Sequence, residues 1–240
     1  MKLKSILFVL AAVMTLAACQ QQGSTRSEDL KTNADSASYA IGILVGNQNK
    51  QQLESTSSAK DFNKDLLVTA FEKTLKGEET KMTSDEARTF VQGYFQKAAK
   101  AEGEKNKKEG EEFLAKNKAK DGIKVTDSGL QYEVLKEGTG PKPKATDKVK
   151  VDYTGKLLDG TVFDSSVERG KPATFGVNQV IPGWTEALQM MPVGSKWRIY
   201  IPSDLAYGPR GAGKDIGPNS TLIFDVELLA IVKDDAKAKK

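Results

Sequence analysis

Not one of the first 140 residues is proline, and all eight prolines fall between Pro141 and Pro218. Proline fixes φ and removes a backbone donor, so a long proline-free stretch is free to run as helix whereas a proline-punctuated one is not. The 240-residue chain therefore reads as two unlike parts. Its character changes at residues 118–128, Lys-Ala-Lys-Asp-Gly-Ile-Lys-Val-Thr-Asp-Ser, and both tryptophans, Trp184 and Trp197, lie in the second part. The length suits one or two domains, and no internal repeat is visible.

The first part is helical in pattern. Asp35 can cap a helix carrying Tyr39, Ile43 and Leu44, with Gly42 and Gly46 spaced for close backbone approach. Asp61 can cap a second, with Phe62, Leu66, Leu67, Ala70, Phe71 and Leu75 at helical spacing and Gly77 as its stop. Thr83 to Glu86 forms a capping-box pattern that opens a third, whose apolar face is Ala87, Phe90, Val91, Tyr94, Phe95 and Ala98. From Lys100 to Glu112 the apolar stripe vanishes and lysine and glutamate dominate, which reads as a long, solvated stalk. Two short amphipathic helices and the start of a third make a thin core. Burial therefore calls for a second chain, and residues 34–98 are expected to form a homodimer.

After the linker the period becomes two. Val149, Val151 and Tyr153 alternate with Lys148, Lys150 and Asp152; Trp197, Ile199 and Ile201 alternate with Lys196, Arg198 and Tyr200, and Phe224, Val226 and Leu228 with Ile223, Asp225 and Glu227. Leu158-Asp-Gly-Thr161 is a signal for a two-residue hairpin loop, and residues 184–190 suit one short helix between Pro182-Gly183 and Pro192. One short helix across a half-buried antiparallel sheet is an α+β arrangement.

Several chemistries are excluded by composition. With no histidine there is no imidazole acid–base catalysis, no His-containing hydrolase triad and no His-ligated zinc, and a lone cysteine permits no internal disulfide. A net charge of +4 is too small to argue for a nucleic-acid partner. The cysteine has another use. Lys2 and Lys4 precede the apolar run Ile6–Val13, and Leu16-Ala-Ala-Cys19 resembles a bacterial lipobox. The expectation is a lipoprotein signal over 1–18, acylation of Cys19, a polar tether over 19–33, and a protein anchored by lipid in the bacterial envelope. The resemblance to bacterial lipoproteins implies, from a non-acidic residue after the cysteine (Gln20), sorting to the outer membrane, with the periplasm as the expected face.

Five strings in the second part belong together: Val151-Asp-Tyr-Thr-Gly155, Asp159-Gly-Thr-Val-Phe-Asp-Ser-Ser166, Val180-Ile-Pro-Gly-Trp184, Ala206-Tyr-Gly208 and Leu222-Ile-Phe-Asp-Val-Glu-Leu228. In this order they resemble the FKBP-type peptidyl-prolyl isomerases, over about residues 128–232. The helical part, with its Ser-Tyr-Ala-Ile-Gly42 segment, resembles the dimerisation module of the envelope FkpA/Mip group. The resemblance implies an antiparallel sheet wrapped on one short helix, preceded by an all-α dimerisation domain (34–118 with the stalk) and a linker (119–127), and followed by a charged tail (233–240).

It also implies a pocket. Trp184 would form its floor, with Tyr153, Phe163 and Phe224 as walls and Val180 beside them. The Ile181 N–H and the Tyr207 hydroxyl would hold substrate carbonyls. Asp164, held by Arg169, would be the polar member near the twisting amide, and Phe175 a rim residue; Trp197 is read as core. No metal and no cofactor is implied, and the substrate would be proline-containing unfolded polypeptide. The chain departs from the family at Ala173, where a further aromatic is common, and in the loop 208–218, which has Ala212 in place of a frequent histidine and four glycines in eleven residues, the mark of a mobile flap. An X-Pro bond rotates over a barrier of ~18–20 kcal/mol and needs neither nucleophile nor obligatory proton transfer, so a chain without histidine is not handicapped. The competing reading is an envelope holdase that grips unfolded chains with the pocket or the helical cleft, isomerisation being incidental.

Overall fold

The structure, a computed structural model, describes residues 29–56 and 59–232. The expected signal segment, the Cys19 anchor, most of the tether and the charged tail lie outside the described residues. The elements in chain order are α1 (Asn33–Glu54), α2 (Lys64–Leu75), α3 (Ser84–Asn117), β1 (Lys124–Val125), β2 (Gln131–Lys136), β3 (Lys148–Lys156), β4 (Val162–Ser165), β5 (Ala173–Gly176), α4 (Pro182–Met190), β6 (Lys196–Ile201) and β7 (Leu222–Val232). Two compact units meet between Gln51 and Gln52.

Within the described residues, the first unit holds most of α1. Its N-terminus is closed by Thr32 rather than by Asp35 alone: the Asp35 N–H donates to Thr32 Oγ1 at 3.0 Å, and the Thr32 N–H donates back to Asp35 Oδ2 at 2.8 Å. The hydroxyl at the cap reaches the third free N–H, and a carboxylate three residues on reaches back, so Asp35 is the reciprocal partner. None of the described α1 residues is buried, and no atom lies within 4 Å of where a Cβ would stand on Gly42 or Gly46.

The second unit begins with α2. Its cap is Asn63, not Asp61: Asn63 Oδ1 accepts from the N–H groups of Asp65 and Leu66, both at 3.0 Å. An acceptor has to stand next to the first turn to reach those donors, and Asp61 lies too early. Phe62 consequently precedes the helix, and its ring meets Tyr94 and Phe95 on α3 at 5.5 and 6.1 Å. The Thr83–Glu86 capping box is formed as expected and holds the Glu86 carboxyl below its ordinary value.

The 34-residue α3 is the long helix the sequence calls for, but its charged half is not solvated all round. Gly103, Gly110 and Asn117, seven residues apart, are its buried residues, and they make a seam along one side. Residues 217–221 and one end of the sheet lie on this seam. Asn106 Nδ2 donates to the Pro218 carbonyl at 2.9 Å, Asn219 Nδ2 donates to the Gly103 carbonyl at 3.2 Å, and a Cβ on Gly110 would collide with Thr221. Further along, Gln131 Nε2 donates to the Leu114 carbonyl, Asn117 Nδ2 donates to Gln131 Oε1, and Phe113 packs on Tyr200.

The sheet runs β1-β2-β6-β7-β3-β4, antiparallel throughout, with β5 paired to β3. The segment expected as a linker contributes β1, with Lys124 opposite Tyr132 and Val125 opposite Gln131. The β3–β4 hairpin closes with three residues rather than two. Leu157 N–H donates to Thr161 O at 2.9 Å, Gly160 N–H donates to Leu157 O, and Gly160 takes φ 89°. A type I turn followed by a left-handed glycine absorbs the additional residue. The inner face carries Val149, Val151, Tyr153, Trp197, Ile199, Ile201, Phe224, Val226 and Leu228, all buried, and α4 lies in the same core through Trp184, Ala187 and Leu188. Proline at the first position of α4 gives up no helical bond, and the missing Cβ of Gly183 lets the helix reach β6, where one would stand 2.5 Å from Ile201 Cγ2. The outer face, at Gln131 and Tyr200, takes the end of α3. Two helices therefore cover the sheet, one on each side.

Candidate active site

The middle of β3 sets the site. Its inward Tyr153 and Gly155 stand beside Val226 and Phe224 of β7. A side chain at Gly155 could not fit: its Cβ would stand 2.6 Å from the Phe224 ring and 2.7 Å from the Phe163 ring. That vacancy lets the two rings meet edge to face at 5.4 Å. β4 is pinned behind them by Ser166, fully buried, whose hydroxyl accepts from the Tyr153 N–H and donates to Asp152 Oδ1, both at 2.9 Å. The turn of chain at Asp164-Ser-Ser166 thus aims Phe163 and Asp164 together.

Trp184 lies at the centre. Its ring meets Tyr153 at 5.3 Å, Phe224 at 5.2 Å and Phe175 at 5.8 Å, each near perpendicular. Perpendicular contacts place the positive ring edges against negative faces and leave a broad apolar surface exposed to the cavity. A cavity of about 630 Å³ opens above it, lined by Tyr153, Phe163, Asp164, Phe175, Gln179, Val180, Ile181, Trp184, Tyr207, Ala212, Gly213, Asp215, Ile216 and Phe224. Tyr207 stands at the mouth, 41% exposed.

Two carboxylates line the cavity, Asp215 on the rim and Asp164 beside the rings. Arg169 Nη1 and the Tyr153 hydroxyl both donate short bonds to Asp164, one to each oxygen, and Arg169 Nη2 donates to the Tyr153 oxygen at 2.9 Å. Burial alone would raise the Asp164 pKa; the two hydrogen bonds and the guanidinium charge outweigh it and hold it below the ordinary value. Burial raises the Tyr153 phenol, and its bond to Asp164 adds to this. Tyr207 is raised too, by burial first and then by the Asp164 charge. At neutral pH the site holds the Asp164 carboxylate beside two neutral phenols.

Nine of the ten residues that the resemblance implies, Tyr153, Phe163, Asp164, Phe175, Val180, Ile181, Trp184, Tyr207 and Phe224, line this cavity. Arg169 does not line it and reaches it through Asp164. Ala173 is absent from the wall, being paired with Val151 on β5. Trp197 is core, stacked on Tyr132 at 4.4 Å. Gln179 and the rim residues Gly213 and Ile216 were not singled out from the sequence. The glycine-rich loop was a signal for the rim, whereas nothing marked Gln179. Among the described residues no group of three or more Cys, Asp or Glu side chains could hold a metal ion.

Residues 140–229 match the family model described as FKBP-type peptidyl-prolyl cis-trans isomerase, and residues 34–134 match that of the domain amino terminal to it. Among curated relatives, outer membrane protein MIP of Legionella longbeachae is 45% identical over 241 residues, 97% of this chain and 99% of that one. The FKBP-type 22 kDa peptidyl-prolyl cis-trans isomerase of Escherichia coli is 47% identical over 199 residues, 82% of this chain and 94% of that one. The crystal structure of FkpA from Escherichia coli superposes with a TM-score of 0.61 at 34% identity, covering 85% of this chain and 98% of that one. The isomerase model takes β3 to β7, α4 and the cavity, the second model takes the three preceding helices together with β1 and most of β2, and the chain belongs to the FKBP-type peptidyl-prolyl cis-trans isomerases.

Proposed function

We propose that this enzyme turns X-Pro bonds by seating the pyrrolidine ring on Trp184, between Tyr153, Phe163 and Phe224, with Val180 beside it and Phe175 at the rim. The observation that carries this is the convergence of these rings on one concave apolar surface with the Asp164 carboxylate at its edge. The planar amide is more polar than the twisted one, because rotation breaks its resonance and shortens the carbonyl dipole. An apolar wall disfavours the planar form relative to the twisted form, and that difference is what accelerates rotation. A gain of about 4 kcal/mol already gives roughly a thousandfold rate. The Ile181 N–H, at the start of α4, and the Tyr207 hydroxyl at the mouth hold the substrate's carbonyls. Asp164, kept ionised by Arg169 and Tyr153, faces the carbonyl carbon side of the turning bond. The test is a prolyl-peptide isomerisation assay on the purified chain. Phe163→Ala should slow catalysis at least tenfold, the order expected when one packed aromatic wall worth about 1.5 kcal/mol or more is lost; an unchanged rate would remove Phe163 from the site.

The working arrangement is a homodimer through residues 34–98, with the isomerase domain at 128–232 carried beyond residues 34–118 and the linker at 119–127. What supports the dimer is uncovered apolar surface: Leu44, Leu66, Val68, Phe71, Leu75 and Phe90 are half to three-quarters exposed, and Gly42, Gly46 and Gly93 have open space above them. The relative named an outer membrane protein supports a place in the bacterial envelope. No described helix is long and apolar enough to cross a membrane, and Cys19 supplies a lipid anchor at the outer membrane, facing the periplasm. Clients are exported polypeptides still folding. The uncovered helical face also favours a holdase role. Suppression of client aggregation that persists in Phe163→Ala and is lost in Phe90→Glu places that role on the helices; loss in Phe163→Ala alone places it in the pocket.

A further inference from the structure

The rim of the cavity is a small hairpin whose base belongs to another element. Ala212 and Ile216 bond each other both ways, N–H to O at 2.8 and 3.2 Å, and four residues of this hairpin, Ala212, Gly213, Asp215 and Ile216, line the cavity. Gly211 enters it at φ 64°, where a Cβ would run into the Ile216 carbonyl. The hairpin is short, half of it is exposed, and one two-way bridge is a slender hold. Further constraints lie immediately past Ile216, at Gly217–Ser220, and those that reach outside the loop come from α3.

Asn106 is at the centre of that contact. Its side-chain N–H₂ donates to the Pro218 carbonyl at 2.9 Å and to Ser220 Oγ at 3.5 Å, across 112 and 114 residues of sequence. Ser220 Oγ in turn donates to the Gly217 carbonyl at 2.9 Å. Asn219 takes the left-handed conformation at φ 55°, the one non-glycine residue to do so among the described residues. Its own side chain donates to the Gly103 carbonyl at 3.2 Å, and its backbone N–H donates to Gly208 O at 2.8 Å, closing the loop. Asparagine tolerates that conformation better than other side chains, and the side-chain bond to α3 together with the backbone bond to Gly208 keeps it there. Close approach needs small residues on both sides. A Cβ on Gly103 would stand 3.2 Å from Pro218 Cβ, and one on Gly217 would stand 2.6 Å from Glu102 Oε1.

We propose that Asn106 is a positioning residue for the isomerase site: from the charged half of α3 it holds the base of the 212–216 hairpin and thereby keeps the rim in its cavity-lining form. It touches no substrate. The inference rests on the reading that this cavity takes the prolyl substrate, and its effect is on binding, since the rim encloses the ligand while Trp184 and Asp164 stand on the sheet and α4.

The test uses the full chain and two readouts. Asn106→Asp keeps the shape and removes both donors, Asn106→Gln restores a donor, and Lys107→Ala alters the neighbouring residue on the solvent side, where Lys107 pairs with Glu111. Amide hydrogen exchange, followed by NMR, should quicken about fivefold at Ala212 and Ile216 in Asn106→Asp, the effect of losing one ordinary hydrogen bond. In the peptide assay KM should rise about three- to fivefold with kcat held within twofold. Asn106→Gln should recover most of both changes and Lys107→Ala should show neither. Unchanged exchange at Ala212 and Ile216 in Asn106→Asp would overturn the proposal. So would a loss carried by kcat alone, or an equal effect of Lys107→Ala. Indifference of the parent enzyme to Phe163→Ala would remove the substrate reading instead, and the exchange rates would still decide whether Asn106 holds the rim.

Discussion

The two halves of α3 reverse what their compositions suggest. Residues 84–98 carry Phe90, Val91 and Tyr94, and these are 68, 49 and 40% exposed. Residues 99–117 are mostly lysine and glutamate, yet that half contains the buried residues of the helix, Gly103, Gly110 and Asn117. In the first half the apolar side chains outnumber the partners this chain supplies; Phe62 with Tyr94 and Phe95 is the main cluster. In the second half contact is made by backbone. Glycine exposes helix carbonyls and lets a loop approach, and asparagine amides complete the bonds, while charged residues cover the other sides in i,i+4 pairs such as Lys100–Glu104 and Lys105–Glu109. Hydrophobic content therefore measures how much burial a helix face needs. It does not measure how much burial the face has.

The largest effect should fall on the unit that the second half of α3 supports. Trp184→Ala removes the ring around which Tyr153, Phe175 and Phe224 are arranged and should cost about 3–5 kcal/mol in denaturant unfolding, along with nearly all activity. A loss below 1 kcal/mol would mean that the aromatic cluster is not the keystone of that unit. Next comes Asp164→Leu, which keeps the shape of a partly exposed position and removes a carboxylate bonded by Tyr153 and Arg169. With hydrogen bonds to charged groups worth about 1.5–3 kcal/mol, kcat/KM should fall about 10- to 100-fold in the fold that remains. Phe90→Glu should leave the same peptide kinetics within about twofold, because the first half of α3 contributes nothing to the cavity. A tenfold loss in Phe90→Glu would erase the distinction between the halves.

The same Phe90→Glu variant should instead break association. A monomer would be indifferent to a charge at a position 68% exposed, whereas a dimer would bury it unpaired. Sedimentation equilibrium should show the dimer dissociation constant raised at least ~30-fold, equivalent to about 2 kcal/mol at an interface centre. An unaltered mass distribution would leave the apolar face without the partner chain proposed for it.

What could be read from the sequence divides along the same line. Period-two alternation placed Val149, Val151, Trp197, Ile199, Phe224 and Val226 on one face, because a half-buried strand has to segregate its side chains. The Thr83–Glu86 box fixed the start of α3, since both bonds are local. The five strings brought Tyr153, Phe163, Asp164, Trp184, Tyr207 and Phe224 to one cavity as an ordered set, which no one of them would have done by itself. The seam at Gly103, Asn106 and Gly110 was illegible. Small and amide residues spaced by three, four and seven carry no hydrophobic signal, and in a run of lysine and glutamate they read as solvated surface. The partners they meet, Pro218 and Asn219, lie more than a hundred residues on. Capping failed similarly at Asp61, where Asn63 offered an equally good acceptor two residues nearer the helix.

Two glycines of the same helix sharpen the contrast by opposite signs. At Gly110 a Cβ collides with Thr221, so Gly110→Ala should destabilise by about 1–3 kcal/mol despite the better helix propensity of alanine. At Gly93 this chain offers no atom within 4 Å, so Gly93→Ala should be stabilising by up to about 1 kcal/mol in dilute, monomeric protein. Melting temperatures of the pair should move apart. Should Gly93→Ala destabilise at high protein concentration only, that glycine is itself a close-approach site between two chains.

The smallest expected effect is that of pH. The chain has no histidine, and Asp164, Tyr153 and Tyr207 of the cavity are moved away from neutrality rather than toward it. Asp164 is held below the ordinary aspartate value near 4 and the Tyr153 and Tyr207 phenols above the ordinary tyrosine value near 10. Because the Asp164 pKa is depressed on folding, its contribution to stability is complete above the ordinary value and is lost only as pH falls below it, through the folded value. The tyrosines are neutral in both states until well into the alkaline range. The α3 seam is joined by neutral amides and carbonyls, and the exposed face of α2 and early α3 is apolar. A profile of kcat/KM from about pH 5.5 to 8.5 should vary by no more than about twofold. An inflection within that window would identify a titrating group that this arrangement of side chains does not contain, and a matching inflection in dimer mass would assign it to the association of the helices rather than to the cavity.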